Sequence, residues 1–220
     1  GVGLCLGNSA TTIISGTTIE NNIIENPASN NNNAGGGVYL DGGSLTIQNS
    51  TKNDTVISGN ISGYGGGVCI FGGNFTMNGG AISGCTAKKG LGGGVYVKDG
   101  TFNMNGGAVI SSDNDVYLAD GTTITVTGNL TSTDTVATIT PNEYSTTRQV
   151  LVAGSGVTLS NSLVKQFNVT PAEDDKEWFV DSYGYLGKIP ETETNDDGTV
   201  VYLMESYDNL LYIAQELRTN

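Results

Sequence analysis

Three tyrosines recur at one position of a repeated motif, and they are the side chains best suited to form a binding surface. In Val95-Tyr96-Val97 strand alternation points the two valines to one face and the tyrosine to the other. Tyr39 and Tyr117 hold the same place in other copies. We predict that Tyr39, Tyr96 and Tyr117 form a ligand-binding strip for glycans or proteins. The alternative is a neutral packing ladder under a loop, because a single exposed aromatic column needs no special function.

Carboxylates also recur, at the corners that follow these tyrosines. Asp41, Asp99 and Asp120 each stand directly before a glycine, and together they could line one edge and bind Ca²⁺ weakly. Asp before Gly is also ordinary turn chemistry, which is the interpretation we prefer. Asp113 and Asp115 form a second acidic pair that we interpret in the same way, as a solvated corner. We therefore predict no metal site and no cofactor.

Catalytic residues are harder to find. The chain has no histidine, which removes the usual general base near neutral pH. Polysaccharide-degrading enzymes need a base beside acids, or a pair of carboxylates at a set separation. A cleft in which Arg148 or Lys165 faces two or more acids would favour a divergent carbohydrate-active, pectate-lyase-like enzyme. We prefer a protein without catalytic residues, and we keep that enzyme as the alternative.

The recurring tyrosines and aspartates belong to a motif that is repeated along the chain, so the repeat determines their positions. Copies of the motif begin with GVGLCL at 1–6, GGGVYL at 35–40, GGGVCI at 65–70, GGGVYV at 92–97 and NDVYL at 114–118. Their first apolar residues are Leu4, Val38, Val68, Val95 and Val116, which gives spacings of 34, 30, 27 and 21 residues. A period in this range indicates a solenoid, a propeller or an array.

Each copy is predicted to hold three strand segments whose inward residues form ladders when copies stack. The first strand supplies two ladders: Leu4, Val38, Val68, Val95, Val116 and Leu6, Leu40, Ile70, Val97, Leu118. The second strand supplies two more: Thr11, Leu45, Phe75, Phe102, Ile124 and Ile13, Ile47, Met77, Met104, Val126. The third supplies Ile23, Ile57, Ile82 and Ile110.

The predicted fold is all-β, a right-handed parallel β-helix of about four to six rungs by this count of copies. A propeller is the alternative, but its repeats run to about 40–50 residues. Regular repeats are predicted for 1–128, irregular terminal rungs with a hairpin for 129–190, and an acidic linker with a short strand and a helix over 207–218 for 191–220. Residues 26–34 are predicted to form an exposed polar loop.

The composition of the chain limits the classes of partner that it is expected to bind. The net charge is −13, with nine basic residues against 22 acidic ones, which disfavours nucleic acid as a partner. No apolar run is long enough for a membrane span, so no membrane insertion by this segment is predicted. Three cysteines without CxxC spacing indicate free thiols. The chain begins inside a repeat motif, from which we expect other domains in a longer parent chain.

The run GGGVYV followed by GTFNMNGGA, with the related GGAISG at 79–84, resembles the glycine-rich β-helix repeats of bacterial cell-surface proteins. These are often called adhesin-like or polymorphic-outer-membrane-protein-like. The later pieces QVLVAG and WFVDSYGYLGK are similar to the segment that follows such repeats, so the resemblance covers about residues 1–188. It implies an extracellular, bacterial cell-surface module that is adhesive or structural and binds a host surface protein or glycan.

Overall fold

The computed structural model of the chain describes residues 1–25, 34–173, 177–203, 210 and 212–214. It is an all-β protein, with 50% of the chain in strands and 4% in helices. Parallel strands dominate, and the main sheet curls into a half barrel. The predictions of an all-β class and of parallel pairing are confirmed.

Twenty-one strands and one short helix have both ends within the described residues. The first strands are β1 (Leu4–Gly7), β2 (Thr11–Ser15), β3 (Thr18–Glu20), β4 (Val38–Gln48), β5 (Val56–Ser58), β6 (Ile61–Tyr64), β7 (Val68–Met77), β8 (Ala81–Ser83) and β9 (Thr86–Leu91). The next are β10 (Val95–Val97), β11 (Thr101–Gly106), β12 (Val109–Ile110), β13 (Asp115–Leu118), β14 (Ile124–Leu130), β15 (Ala137–Pro141) and β16 (Leu151–Ala153). The last elements are α1 (Asn161–Val164), β17 (Phe167–Val169), β18 (Trp178–Val180), β19 (Leu186–Lys188), β20 (Thr192–Thr194) and β21 (Val200–Tyr202).

The largest sheet joins eleven of these strands, and its pairs are parallel. One half runs through β1, β4, β7, β10, β13, β15 and β17. The other half runs through β2, β4, β7, β11, β14 and β16. β4 and β7 belong to both halves because each is long. The first half is seven strands deep, because β15 and β17 continue it beyond the regular repeats.

Apolar residues of successive copies are direct neighbours in this sheet. Val95 pairs with Val68 on one side and with Val116 on the other, and all three side chains are fully buried. Phe102 pairs with Phe75, and their rings stack with centroids 5.3 Å apart. These ladders form one continuous core, as the alternation of the strands predicts.

Two smaller parallel sheets complete the repeats. The order β12-β8-β5-β3 brings Ile57, Ile82 and Ile110 into register, and all three side chains join the same core. β6 pairs with β9 in parallel, and a bridge from Ile23 to Ile61 extends this pairing towards the start of the chain. The copies that begin at 35 and 65 therefore have a fourth segment, β6 and β9, that the three-strand prediction did not include.

The glycine triplets of the motif are explained by two different constraints. The first glycine of a triplet has a left-handed backbone: Gly65 has φ +58°, a conformation that only glycine adopts readily. The second has no room for a side chain, since a Cβ on Gly66 would lie 2.6 Å from the Gly93 carbonyl oxygen. The triplets thus allow the backbone of one copy to approach that of the next closely.

The first copy departs from the predicted ladders in its second strand. Thr12 pairs with Leu45 and Ile14 with Ile47, so the predictions that Thr11 and Ile13 point inward were wrong. Ile13 is 66% exposed. Gly7 pairs with Asp41, and Thr11 pairs with Ser44. Three residues, 8–10, lie between the first members of these pairs, but only two residues lie between the second members. One extra residue moves every following side chain to the opposite face.

The third ladder also starts from a different residue than predicted. Ile19, not Ile23, pairs with Ile57. Ile23 is 44% exposed and lies four residues further along the chain, where it bridges to Ile61 in the fourth segment. Both corrections concern the first copy, whose corners differ in length from those of the later copies.

Irregular pairing replaces the repeats towards the C-terminal end. β18 and β19 form the predicted antiparallel hairpin, and the partly buried Trp178 packs against the core. The segment predicted to be a linker contains β20, which pairs with β21 in a second, exposed hairpin. The short helix α1 was not predicted; the side chain of Ser160 caps its N-terminus by accepting a hydrogen bond from the Leu163 amide.

Two predicted features fall wholly or mostly outside the described residues. These are the polar loop at 26–34, of which only Ala34 is described, and the helix over 207–218. Residues 210 and 212–214, which are described, are helical. Within the described part of the chain, no helix is both long enough and apolar enough to cross a membrane.

Candidate functional site

The predicted tyrosine positions do share one column. Tyr39 pairs with Cys69, Cys69 with Tyr96, and Tyr96 with Tyr117. The structure brings Tyr96 and Tyr117 together, with ring centroids 5.4 Å apart and ring planes 29° apart. Tyr39 lies two rungs from Tyr96 and contacts a different ring, Phe71, at 6.2 Å between centroids.

A tyrosine that the sequence analysis missed completes the stack. Tyr64, at the end of β6, lies 5.5 Å from Tyr96 between ring centroids. It therefore occupies the space beside Cys69, which is fully buried. We call Tyr64, Tyr96 and Tyr117 the tyrosine ladder. Tyr64 could have been found by comparing the residue directly before each glycine triplet, since it bridges to Ala34 in the preceding copy.

The ladder determines which aromatic surfaces are open to a ligand. Both faces of the Tyr96 ring are covered, by Tyr64 and by Tyr117. Burial is the main cause that raises the pKa of Tyr96 to about 12 and also raises the pKa of Tyr117. Lys89 Nζ lies 5.6 Å from the centroid of the Tyr64 ring. The ring edges along the ladder, and the side of Tyr117 away from Tyr96, are the surfaces left for a partner.

Beyond Tyr117 the column continues with small side chains. Tyr117 pairs with Thr140, and Thr170 donates a hydrogen bond from Oγ1 to Thr140 Oγ1 at 3.2 Å. Tyr144 lies across this end of the column, with its hydroxyl 2.6 Å from Thr170 Oγ1. Its ring lies 5.8 Å from that of Trp178 between centroids, tilted by 52°.

A cleft of about 670 Å³ opens where the rings of the ladder stop. Aromatic and acidic side chains share its lining: Tyr117, Thr140, Glu143, Tyr144, Glu173 and Trp178. The sequence analysis did not predict this cleft. Apart from Tyr117, its lining residues come from the segments after residue 137, where the repeat gives no guide to position.

The corner acids make backbone hydrogen bonds. Asp113 Oδ2 accepts from the Gly84 amide at 2.8 Å, and Asp115 Oδ1 accepts from the Gly93 amide at 2.6 Å. The hydrogen bond from Ser111 to Asp113 is the first cause that lowers the pKa of Asp113. Among the residues described, no three histidine, cysteine, aspartate or glutamate side chains lie together as a metal site would require. Through these hydrogen bonds, Asp113 and Asp115 link neighbouring copies of the repeat.

The guanidinium of Arg148 is largely buried and is bonded to the backbone. Its side chain is 9% exposed, and its Nη2 donates to the carbonyl oxygens of Ala119 and Thr122, both at 2.9 Å. Its Nη1 donates to the Gln149 carbonyl oxygen at 2.7 Å. Burial is the first cause that lowers the pKa of the guanidinium. The side chain of Arg148 thus joins the turn at 119–122 to the backbone at Gln149.

The three cysteines are free. Burial raises the pKa of Cys69 to about 12 and also raises the pKa of Cys85. Thiols with raised pKa values are poor nucleophiles, because the thiolate is the reactive form. Cys85 contacts the side-chain amides of two asparagines. Its backbone N–H donates to Asn114 Oδ1 at 3.0 Å, and its sulfur lies 3.9 Å from Asn60 Nδ2.

No protein-family model, no curated protein and no solved structure matches the chain.

Proposed function

We propose that the chain is a non-enzymatic, adhesin-like module of a bacterial cell surface that binds a host glycan or protein through its aromatic face. The aromatic face is defined here as Tyr39 together with the tyrosine ladder. The observation that carries the proposal is the ladder itself. It places three rings, stacked at 5.4 and 5.5 Å, on the outer side of a sheet whose inner side is the core.

The proposed architecture is a right-handed parallel β-helix. In-register parallel pairs between successive copies support it, since Val38, Val68, Val95 and Val116 follow one another as neighbours. Three parallel sheets that contribute to the same repeats also support it. The right hand follows the general rule for crossovers between parallel strands. Such a rod holds a surface column rigidly, as a binding face requires.

Binding rather than catalysis is supported by the position of Arg148. The enzyme alternative needs a base that faces acids across a cleft. The hydrogen bonds of the Arg148 guanidinium go to the carbonyl oxygens of Ala119, Thr122 and Gln149. The aromatic face, by contrast, consists of ring edges and hydroxyl groups, which suit both sugars and protein surfaces. A cell-surface location and a longer parent chain follow from the resemblance of the repeats.

An array of glycans and host-matrix proteins tests this proposal with two matched triple variants. Tyr39/Tyr96/Tyr117→Ala is expected to weaken binding at least about tenfold, because buried aromatic anchors carry a large share of binding energy. The control, Tyr183/Tyr185/Tyr202→Ala, removes three tyrosines that are exposed by 71%, 37% and 41% and should bind like the unmodified chain. Circular dichroism verifies that both variants are folded.

Two results would contradict the proposal. Equal binding by the two variants would show that the aromatic face takes no part. A complete absence of binding by the unmodified chain would favour a rod that only spaces other domains.

A further inference from the structure

The column of outward residues that contains Tyr39, Tyr96 and Tyr117 lacks an aromatic ring at Cys5, Cys69 and Thr140. The last two positions flank the pair Tyr96 and Tyr117, and their surroundings differ. At Cys69 the gap is filled by Tyr64, whose ring stacks on Tyr96. At Thr140 the column also carries a small side chain next to a tyrosine, Tyr117. There the cleft of about 670 Å³ lies open. The gap at Thr140 is therefore a place where a planar group from another molecule can continue the stack.

The lining of the cleft indicates the charge of that group. Three aromatic side chains and two carboxylates line it, and none of the described lining residues is basic. Glu143 and Glu173 are both exposed. The chain as a whole carries a net charge of −13. This composition attracts a cation.

The described hydrogen bonds leave the carboxylate of Glu143 open to a partner. Arg148 is close enough for Glu143 to affect its pKa. The hydrogen bonds of its guanidinium nevertheless go to backbone carbonyl oxygens. The guanidinium of Arg148 is thus tied to the backbone at 119, 122 and 149.

The opposite end of the ladder carries a cation already. Lys89 Nζ lies over the face of Tyr64, 5.6 Å from its centroid. An aromatic face attracts a cation through its quadrupole, and the attraction grows when water is displaced. The chain's own ammonium group therefore occupies one terminal face, and the other terminal face, that of Tyr117, borders the acidic cleft.

We infer that this cleft binds the guanidinium of an arginine side chain on a partner protein, an inference that rests on the proposed binding function. A guanidinium is planar and stacks on aromatic rings, and its fork of N–H donors matches a carboxylate. Tyr117 supplies the ring, and Glu143 and Glu173 supply the carboxylates. A neutral sugar ring could also stack on Tyr117, but it would leave two carboxylates without a cationic partner.

Fluorescence of Trp178, the only tryptophan of the chain and part of the cleft lining, gives a direct test. The probe is the blocked peptide acetyl-Gly-Gly-Arg-Gly-Gly-amide, and the matched control peptide carries citrulline, a neutral isostere, in place of arginine. We expect a saturable change with the arginine peptide and about tenfold weaker binding of the citrulline peptide, since charge-assisted and cation–π contacts are lost.

Variants of the protein test whether the carboxylates and the Tyr117 ring contribute to binding of the arginine peptide. Glu143→Gln/Glu173→Gln should weaken binding of the arginine peptide about tenfold. The matched control, Glu191→Gln/Glu193→Gln, removes two exposed glutamates outside the cleft lining and should leave binding unchanged. Tyr117→Phe, which keeps the ring, should bind like the unmodified chain, and Tyr117→Leu should bind more weakly.

Equal affinity for the two peptides, or no loss in the Glu143→Gln/Glu173→Gln variant, would overturn the inference. So would the absence of a saturable response up to about 10 mM peptide, the range of single-contact affinities. If a neutral oligosaccharide, N-acetylchitotriose, changes the fluorescence instead, the cleft is a sugar site and the binding proposal stands without the arginine. If the array also shows no binding that depends on the aromatic face, both proposals fail.

Discussion

Replacing Phe102 by alanine is expected to lower the free energy of unfolding by about 3–5 kcal/mol, the usual cost of removing a buried phenylalanine. Phe102 is fully buried and stacks on Phe75, with ring centroids 5.3 Å apart. Neighbouring rungs hold the backbone on both sides, through pairs with β7 and β14, so the cavity cannot easily collapse. Urea unfolding followed by circular dichroism measures the change.

Ile13→Ala is the matched control for that substitution. Ile13 was predicted to point inward, but it is 66% exposed, so its removal should change the free energy of unfolding by no more than about 0.5 kcal/mol. Comparable losses for Ile13→Ala and Phe102→Ala would show that the first copy has the register predicted from the sequence and not the one described here.

Gly66→Ala is expected to destabilise the chain by about 3 kcal/mol, at the upper end of the usual cost of overpacking. The added Cβ would lie 2.6 Å from three backbone atoms, the Gly93 carbonyl oxygen and the nitrogen and carbonyl carbon of Thr86. Backbone atoms cannot rotate away as the end of a side chain can, so neighbouring rungs would have to move apart. Thermal and urea unfolding would measure this loss.

Gly107→Ala provides the comparison. Its nearest heavy atom would be Thr131 Oγ1 at 3.7 Å, an ordinary contact, and its backbone φ is not left-handed. We expect a change of less than about 1 kcal/mol in either direction. Similar losses at Gly66 and Gly107 would contradict the close approach of rungs at the triplets.

The ladders of the regular copies could be predicted because two signals agree there. Val68, Val95 and Val116 alternate with outward residues, and each follows the same place in its copy. Strand alternation fixes the face and the repeat fixes the neighbour. In the first copy one additional residue at 8–10 changes the face of Ile13, which sequence comparison without register information cannot detect.

The candidate site could be predicted only in part. The column that contains Tyr96 and Tyr117 follows from the repeat, and the structure stacks their rings. Tyr64 comes from a different sheet, β6 with β9, so a comparison within one strand of the motif does not find it. The cleft depends on Tyr144 and Trp178, which lie in segments without a repeat and are brought together only by tertiary packing.

Distances between spin labels on the outward face test the central claim most directly, namely that successive copies stack in parallel register. Ile13, Thr46, Thr76, Asn103 and Thr125 are successive neighbours across the sheet. In a Cys5→Ser background, which removes the exposed thiol, one label replaces Ile13 and a second replaces Thr76, Asn103 or Thr125. Electron paramagnetic resonance should give separations that grow by about 4.8 Å with each copy, the spacing of adjacent strands. Separations that do not increase with the number of intervening copies would contradict the stacked register, and with it the tyrosine ladder and the cleft.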